Sequence, residues 1–171
     1  MIAFRITSLK NFMSQLLISD TFDIFLLEEA VISTANTYTI DGHINREFYQ
    51  EIPTQDTEPS PPDDGYEFRP WQEIKEFCFH LIKGKRTPLF CKFVLHLKPE
   101  QAESLLQKEL PDTDISQIKA FILNVRYDGT GITLTTCTSY HTFVLSKEPD
   151  VVWDKAIAKY LNKKDIEYEV L

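Results

Sequence analysis

The sequence predicts an α+β domain: an antiparallel sheet with helices packed on one face. Three observations lead there. Apolar residues alternate with a period of two in several segments, which marks strands with one buried face. Between them lie stripes spaced i, i+3, i+4 and i+7, the mark of half-buried helices. Strands also follow one another through tight turns, and hairpins cannot build a doubly wound parallel sheet.

Each element has its own signal. Ile2, Phe4 and Ile6 alternate with Ala3, Arg5 and Thr7 in a first strand. Ser8 stands where a helix cap is favoured, before the stripe Leu9, Phe12, Met13, Leu16 and Leu17. Phe25 to Ser33 and Asn36 to Ile44 are rich in aliphatic, Thr and Tyr residues and read as two strands. Four prolines interleave with carboxylates over 50–67, which predicts a mobile acidic loop unable to bury apolar surface. Pro70 opens a second helix, with Trp71, Ile74, Phe77, Cys78, Leu81 and Ile82 on one side and Gly84 at its end. Leu89 to Leu97 is a strand.

A similar order then returns. Pro99 starts a helix with Ala102, Leu105, Leu106 and Leu110 on one side, and Pro111 stops it. Ile118 to Tyr127 is a strand. Asp128-Gly129-Thr130-Gly131 is a tight turn, where glycine supplies positive φ. Ile132 to Leu145 is a long strand, Pro149 and Asp150 open a last helix, and Ile166, Tyr168 and Val170 alternate in a closing strand. The segment Ile32-Ser33-Thr34-Ala35-Asn36-Thr37-Tyr38 matches Leu134-Thr135-Thr136-Cys137-Thr138-Ser139-Tyr140, with Thr and Tyr identical. Trp71 and Trp153 each fall near the start of a later helix. The expectation is one pseudo-duplicated domain over 1–171, with related β-α-β-β halves at 1–88 and 89–171.

Composition narrows the function classes. A formal charge of −8 argues against broad nucleic-acid affinity, which needs clustered Lys and Arg. Cys78, Cys91 and Cys137 have no metal-ligand spacing and sit among apolar residues, so they read as reduced core thiols of a cytoplasmic protein. The N-terminus lacks the pattern of a signal peptide. No stretch reaches the roughly 20 apolar residues of a membrane span.

Two resemblances follow from these segments. Phe93-Val94-Leu95-His96-Leu97, the helix after it, Ile122 to Gly129 and Ile132 to Thr136 resemble the half-domain unit of DNA sliding clamps. Phe4-Arg5-Ile6, its helix and residues 32–44 resemble it in the same sense. The resemblance implies a clamp-like duplicated fold. It does not extend to function, because clamps line their channel with basic helices. Here the first helix carries only Lys10, and the Pro99 helix sets Lys108 against Glu100, Glu103 and Glu109. The whole chain is also similar to an uncharacterised family of Clostridia-type bacteria, a domain of unknown function. Lys10-Asn11-Phe12-Met13, Phe25-Leu26-Leu27, Thr39-Ile40-Asp41-Gly42 and Tyr127-Asp128-Gly129-Thr130-Gly131 carry that similarity, which implies no activity.

The chemistry-bearing residues form no catalytic or cofactor motif. The glycine turn is followed by a strand, so it is neither a P-loop nor a dinucleotide fingerprint. No nucleophile elbow is present, and no cofactor is expected. Two residue sets are candidates. Tyr38, Asp41, His43, Arg126, Tyr140 and His141 are the polar groups nearest a groove between the Thr-rich strands. Lys83, Lys85 and Arg86 with Lys155, Lys159, Lys163 and Lys164 form basic clusters near helix C-termini, where the macrodipole favours cations; together they could bind an anionic partner. The reading is a non-enzymatic binding or structural protein, with the strand in 165–171 as an edge for a homodimer or another protein. The alternatives are a small hydrolase or ligand-binding enzyme at the polar groove and a DNA-associated, clamp-like protein.

Overall fold

In the computed structural model, which describes residues 1–49 and 65–171, eight antiparallel strands and four helices make an α+β fold. The strands are β1 (Ala3–Ile6), β2 (Phe25–Ser33), β3 (Thr37–Asp41), β4 (Arg69–Pro70), β5 (Phe90–Leu97), β6 (Ile118–Tyr127), β7 (Ile132–Tyr140) and β8 (Tyr168–Val170). The helices are α1 (Leu9–Leu17), α2 (Trp71–Ile82), α3 (Pro99–Glu109) and α4 (Glu148–Lys163). The sheet runs β3-β2-β5-β6-β7-β1-β8, and the short β4 pairs with β2. Residues 50–64 of the predicted acidic loop lie outside the described residues. Just after them, Tyr66 donates its hydroxyl to Glu100.

Register explains the core. Directly paired residues share a face, so a row Ile40, Ala30, Phe93, Val125, Leu134 and Phe4 crosses six strands. Beside it run Ile32, Cys91, Tyr127, Ile132 and Ile6, and then Leu27, Leu95, Leu123 and Thr136. Nearly all of these are buried. The alternate positions Thr39, Val31, Lys92, Arg126, Thr133 and Arg5 form a row on the opposite face, half-buried or exposed.

The helices reach the inward rows through large rings. Trp71 of α2 meets Phe93 edge-on at 5.4 Å, and Trp153 of α4 stacks on Phe121 at 5.2 Å. Phe12 of α1 continues through Phe22 and Phe25 to Trp153. Leu106 of α3 joins the same core. Both indoles also satisfy backbone: Trp71 Nε1 donates to the Leu16 carbonyl at 2.9 Å, and Trp153 Nε1 to the Ile122 carbonyl at 2.9 Å. The Leu16 carbonyl is one of the last-turn acceptors that a helix leaves without an internal partner. Burial pushes the Cys78 thiol up to about 12 and the Cys91 thiol up to about 11, so both stay un-ionised.

Several expectations change. Ser8 occupies the cap position of α1, but its side chain makes no capping bond. Pro70 pairs in β4, and α2 begins one residue later. The strand expected to run to Leu145 stops at Tyr140, because β6 begins at Ile118, directly opposite, and leaves nothing further to pair with. His141 makes the last rung, its N–H on the Gln117 carbonyl at 2.9 Å.

The matched seven-residue segments fold differently. Residues 32–38 turn the corner from β2 to β3, whereas 134–140 stay within β7. At the turn, Thr34 donates its N–H to the Asn36 carbonyl at 2.9 Å. The aligned residue is the β-branched Thr138, which continues the strand. Tyr38 therefore lies on the edge strand β3 opposite Ile32, and Tyr140 on an interior strand opposite Ile118. Strand pairing does not repeat between halves either. Mapping β1, β2 and β3 onto β5, β6 and β7 would turn the β1–β7 pair into β5–β3 and the β2–β5 pair into β6–β1. Among the described residues β5 pairs with β2 and β6, and β1 with β7 and β8. Only the order of elements recurs.

A bulge in β2 at Glu28 draws Gly42 onto the sheet backbone. Gly42 donates its N–H to the Glu28 carbonyl at 2.8 Å and accepts from Arg69 N–H at 2.8 Å. A Cβ there would sit 1.7 Å from the Leu27 carbonyl oxygen, whereas one at Gly131 meets nothing within 4 Å. Gly42→Ala should thus destabilise the protein by about 2–3 kcal/mol, the upper range for forced overpacking, while Gly131→Ala stays within about 0.5 kcal/mol of the parent. Urea unfolding midpoints measure both, and equal midpoints for the two variants would contradict the close approach.

Candidate functional site

Two depressions flank the helices, and cations line both. The first lies between α3 and α4. In α4 the inward stripe is Trp153, Ile157 and Leu161, all buried. That stripe turns Lys155, Lys159 and Lys163 to the exposed side, where each step of four residues rises about 6 Å. In α3, burial of Leu106 sets Leu105, Lys108 and Glu109 on the margin facing α4. The resulting groove holds about 550 Å³. Leu105, Val152 and Ala156 supply apolar lining, and four lysines surround it with Glu109 as the single carboxylate among the described residues. Tyr160 lines one side. Its hydroxyl donates to the Thr21 carbonyl, and burial, together with Asp20 and Asp23, pushes the phenol up to about 12. It is a neutral donor throughout the physiological range.

The second depression, of about 410 Å³, lies where α1, the end of α2 and the β6–β7 turn meet. Leu9, Met13, Ile82, Pro88 and Tyr127 line it, with Lys10, Lys83 and Arg86 as its cations. Asp128 shapes the turn on its border. Its Oδ1 accepts from Gly131 N–H at 2.9 Å, Thr130 N–H at 2.9 Å and the Thr130 hydroxyl at 2.7 Å. Gly129, at φ +92°, completes the reversal. Tyr127 donates its hydroxyl to the Gly129 carbonyl at 3.0 Å.

The two depressions divide the predicted basic set. Lys155, Lys159 and Lys163 line the first, and Lys83 and Arg86 the second. Lys85 and Lys164 lie outside both linings; Lys164 stands over the Tyr160 ring at 5.8 Å. Lys108 and Lys10 complete the groups. The sequence shows both beside apolar stripes but does not show which other cations they meet. Among the described residues none of the seven lining cations has an ion-pair partner.

The polar set does not converge. Strands β5 and β6 lie between β2 and β7, so no groove separates the Thr-rich strands. Asp41 and His43 do meet, Oδ1 to Nδ1 at 2.6 Å, and His43 N–H also donates to that carboxylate at 2.9 Å. The backbone bond, and then the ring bond, holds the Asp41 carboxyl below its usual range. Arg126 lies over Phe90 at 5.5 Å on the outward face. Tyr140 donates to Asp150 at 3.3 Å, and burial followed by the Asp150 charge pushes its phenol up to about 12. Tyr38 and His141 are exposed elsewhere. One pairing escaped the sequence: the buried His96 ring bonds Glu28, because the β2 bulge carries Glu28 towards it. Phe68 lies between the His96 and His43 rings, at 4.6 and 4.5 Å. Among the described residues no group of three metal-ligating side chains gathers, and no helix is long and apolar enough to cross a membrane.

The family of unknown function DUF5721 matches residues 15–169, and the chain belongs to that family. The similarity to an uncharacterised family therefore holds. No curated protein and no solved structure matches the chain.

The turn beside the second depression carries its own pH signature. The Gly131 and Thr130 bonds lower the Asp128 carboxyl to about 2. A depressed carboxylate stabilises the fold above the unfolded value of about 3.9, and that contribution disappears as pH falls through the folded value. A carbon-detected NMR titration should place the Asp128 midpoint near 2; a midpoint near the free value of about 4 would contradict the turn geometry.

Proposed function

We propose that the protein is a non-enzymatic binding protein whose α3–α4 groove receives an acidic, amphipathic helix of a partner protein. The lysine ladder over an apolar floor carries this reading. Lys155, Lys159 and Lys163 recur every four residues. A partner helix with carboxylates every four residues repeats the same rise of about 6 Å and meets them one for one. Leu105, Val152 and Ala156 then receive its apolar stripe, the helix-in-groove mode of recognition. Nucleic acid suits the groove less well. The chain carries −8 overall, and a phosphate backbone makes no use of the apolar floor. Strand pairing through β8 is the secondary surface. That strand lies at the end of the sheet but offers three residues, with Glu169 exposed at their centre.

A fluorescein-labelled amphipathic peptide with glutamates every four residues beside a leucine stripe tests this by fluorescence anisotropy. Saturable binding that weakens with salt is expected. Lys155→Glu with Lys159→Glu should weaken it roughly tenfold, the combined effect of two exposed charge pairs. Absence of binding, equal binding by the double variant, or displacement of the peptide by duplex DNA would overturn the proposal.

A further inference from the structure

The second depression has a charge arrangement that helix ends do not explain. Lys83 caps the C-terminal end of α2, where the macrodipole favours a cation. Lys10, however, is the second residue of α1, where the same effect opposes one. The fold nevertheless brings Lys10, Lys83 and Arg86 around one cavity with no carboxylate in its lining. Asp128, the acidic group of the adjoining turn, is committed to Thr130 and Gly131. It borders a different depression, on the outward face of the sheet beside Arg126. Among the described residues the three cations have no ion-pair partners. Three cations without an ion-pair partner among the described residues are therefore left facing one space.

Apart from Thr87 and Thr130, the rest of the lining is largely apolar. Leu9 and Met13 come from one turn of α1, Ile82 from the end of α2, and Pro88 from the loop that follows. The volume of about 410 Å³ falls in the range of small-molecule sites. A flexible methionine adapts to occupants of varied shape. We infer that this cavity binds a small amphipathic anion, an unbranched apolar body ending in one carboxylate or phosphate head. The body lies against Leu9, Met13 and Ile82, and the head meets Lys10, Lys83 and Arg86. This site is separate from the α3–α4 groove and shares no lining residue with it.

Isothermal titration with decanoate, decyl phosphate and decanol, each below its aggregation limit, tests the inference. Decanoate or decyl phosphate should bind at one site per chain, and decanol at least roughly tenfold more weakly, the loss expected for a head that meets its cations. The tighter of the two anions identifies the head. Lys83→Glu with Arg86→Glu, both exposed, should weaken the anions by a similar factor and leave the decanol affinity unchanged, with a small fall in the urea midpoint from the carboxylate placed at the α2 C-terminus. Lys155→Glu with Lys159→Glu should leave anion binding intact, which separates this site from the groove. Absence of binding by either anion, equal affinity for decanol, or indifference to the Lys83 and Arg86 reversals would overturn the inference.

Discussion

One apolar row governs this structure. Ile40, Ala30, Phe93, Val125, Leu134 and Phe4 lie side by side across six strands and must be kept from water on a single face. Trp71 and Trp153 answer that requirement from two helices, each placing a large ring on an inward phenylalanine and an indole N–H on a backbone carbonyl. Helices are cylinders roughly 10 Å across with their side chains, so a layer of them leaves seams. The two depressions are such seams, and their positions follow from how the helices cover the sheet.

Charge is distributed unevenly over this architecture. Among the described residues seven Lys and Arg side chains line the two seams, against one carboxylate. On the outward face of the sheet, by contrast, two of the cations, Lys92 and Arg126, have local partners. Lys92 bonds Glu29 at 2.7 Å, and Arg126 stands over Phe90. His96 is likewise paired with Glu28. A cation satisfied by its own sheet offers little to a partner. An unpaired cation beside an apolar floor offers both long-range attraction and a place to bury surface. That contrast is why the seams, and not the outward face, are assigned to binding.

Much of the fold was legible because burial differs between the two faces. Strand-favouring composition placed β2 at Phe25–Ser33, and β6 was read at Ile118–Tyr127, both with the bounds that the structure has. Features that depend on a neighbour were not legible. Phe143 and Leu145 look like a continuation of a long apolar strand, yet they are 89% and 85% exposed because no strand remains to pair with them. The β2 bulge and the two-residue β4 leave no periodic trace. The matched segments ending at Tyr38 and Tyr140 do not share a fold, since residues 32–38 turn from β2 to β3 and 134–140 stay within β7. For the sites, position towards a helix C-terminus identified Lys155, Lys159, Lys163 and Lys164 as one set, of which the first three line the groove. Lys108 and Lys10 joined their groups only through packing between helices distant in sequence.

The central claim is that unpaired cations in the helix seams are recognition surfaces, and amide-resolved NMR tests it most directly. Spectra recorded with the acidic amphipathic helix and, separately, with decanoate should show two disjoint sets of shifted amides. The first should lie in α3 and in α4 from Val152 to Lys163, the second around Leu9, Met13, Ile82 and Thr130. Shifts spread over the outward face of the sheet, or confined to the edges at β3 and β8, would contradict the account.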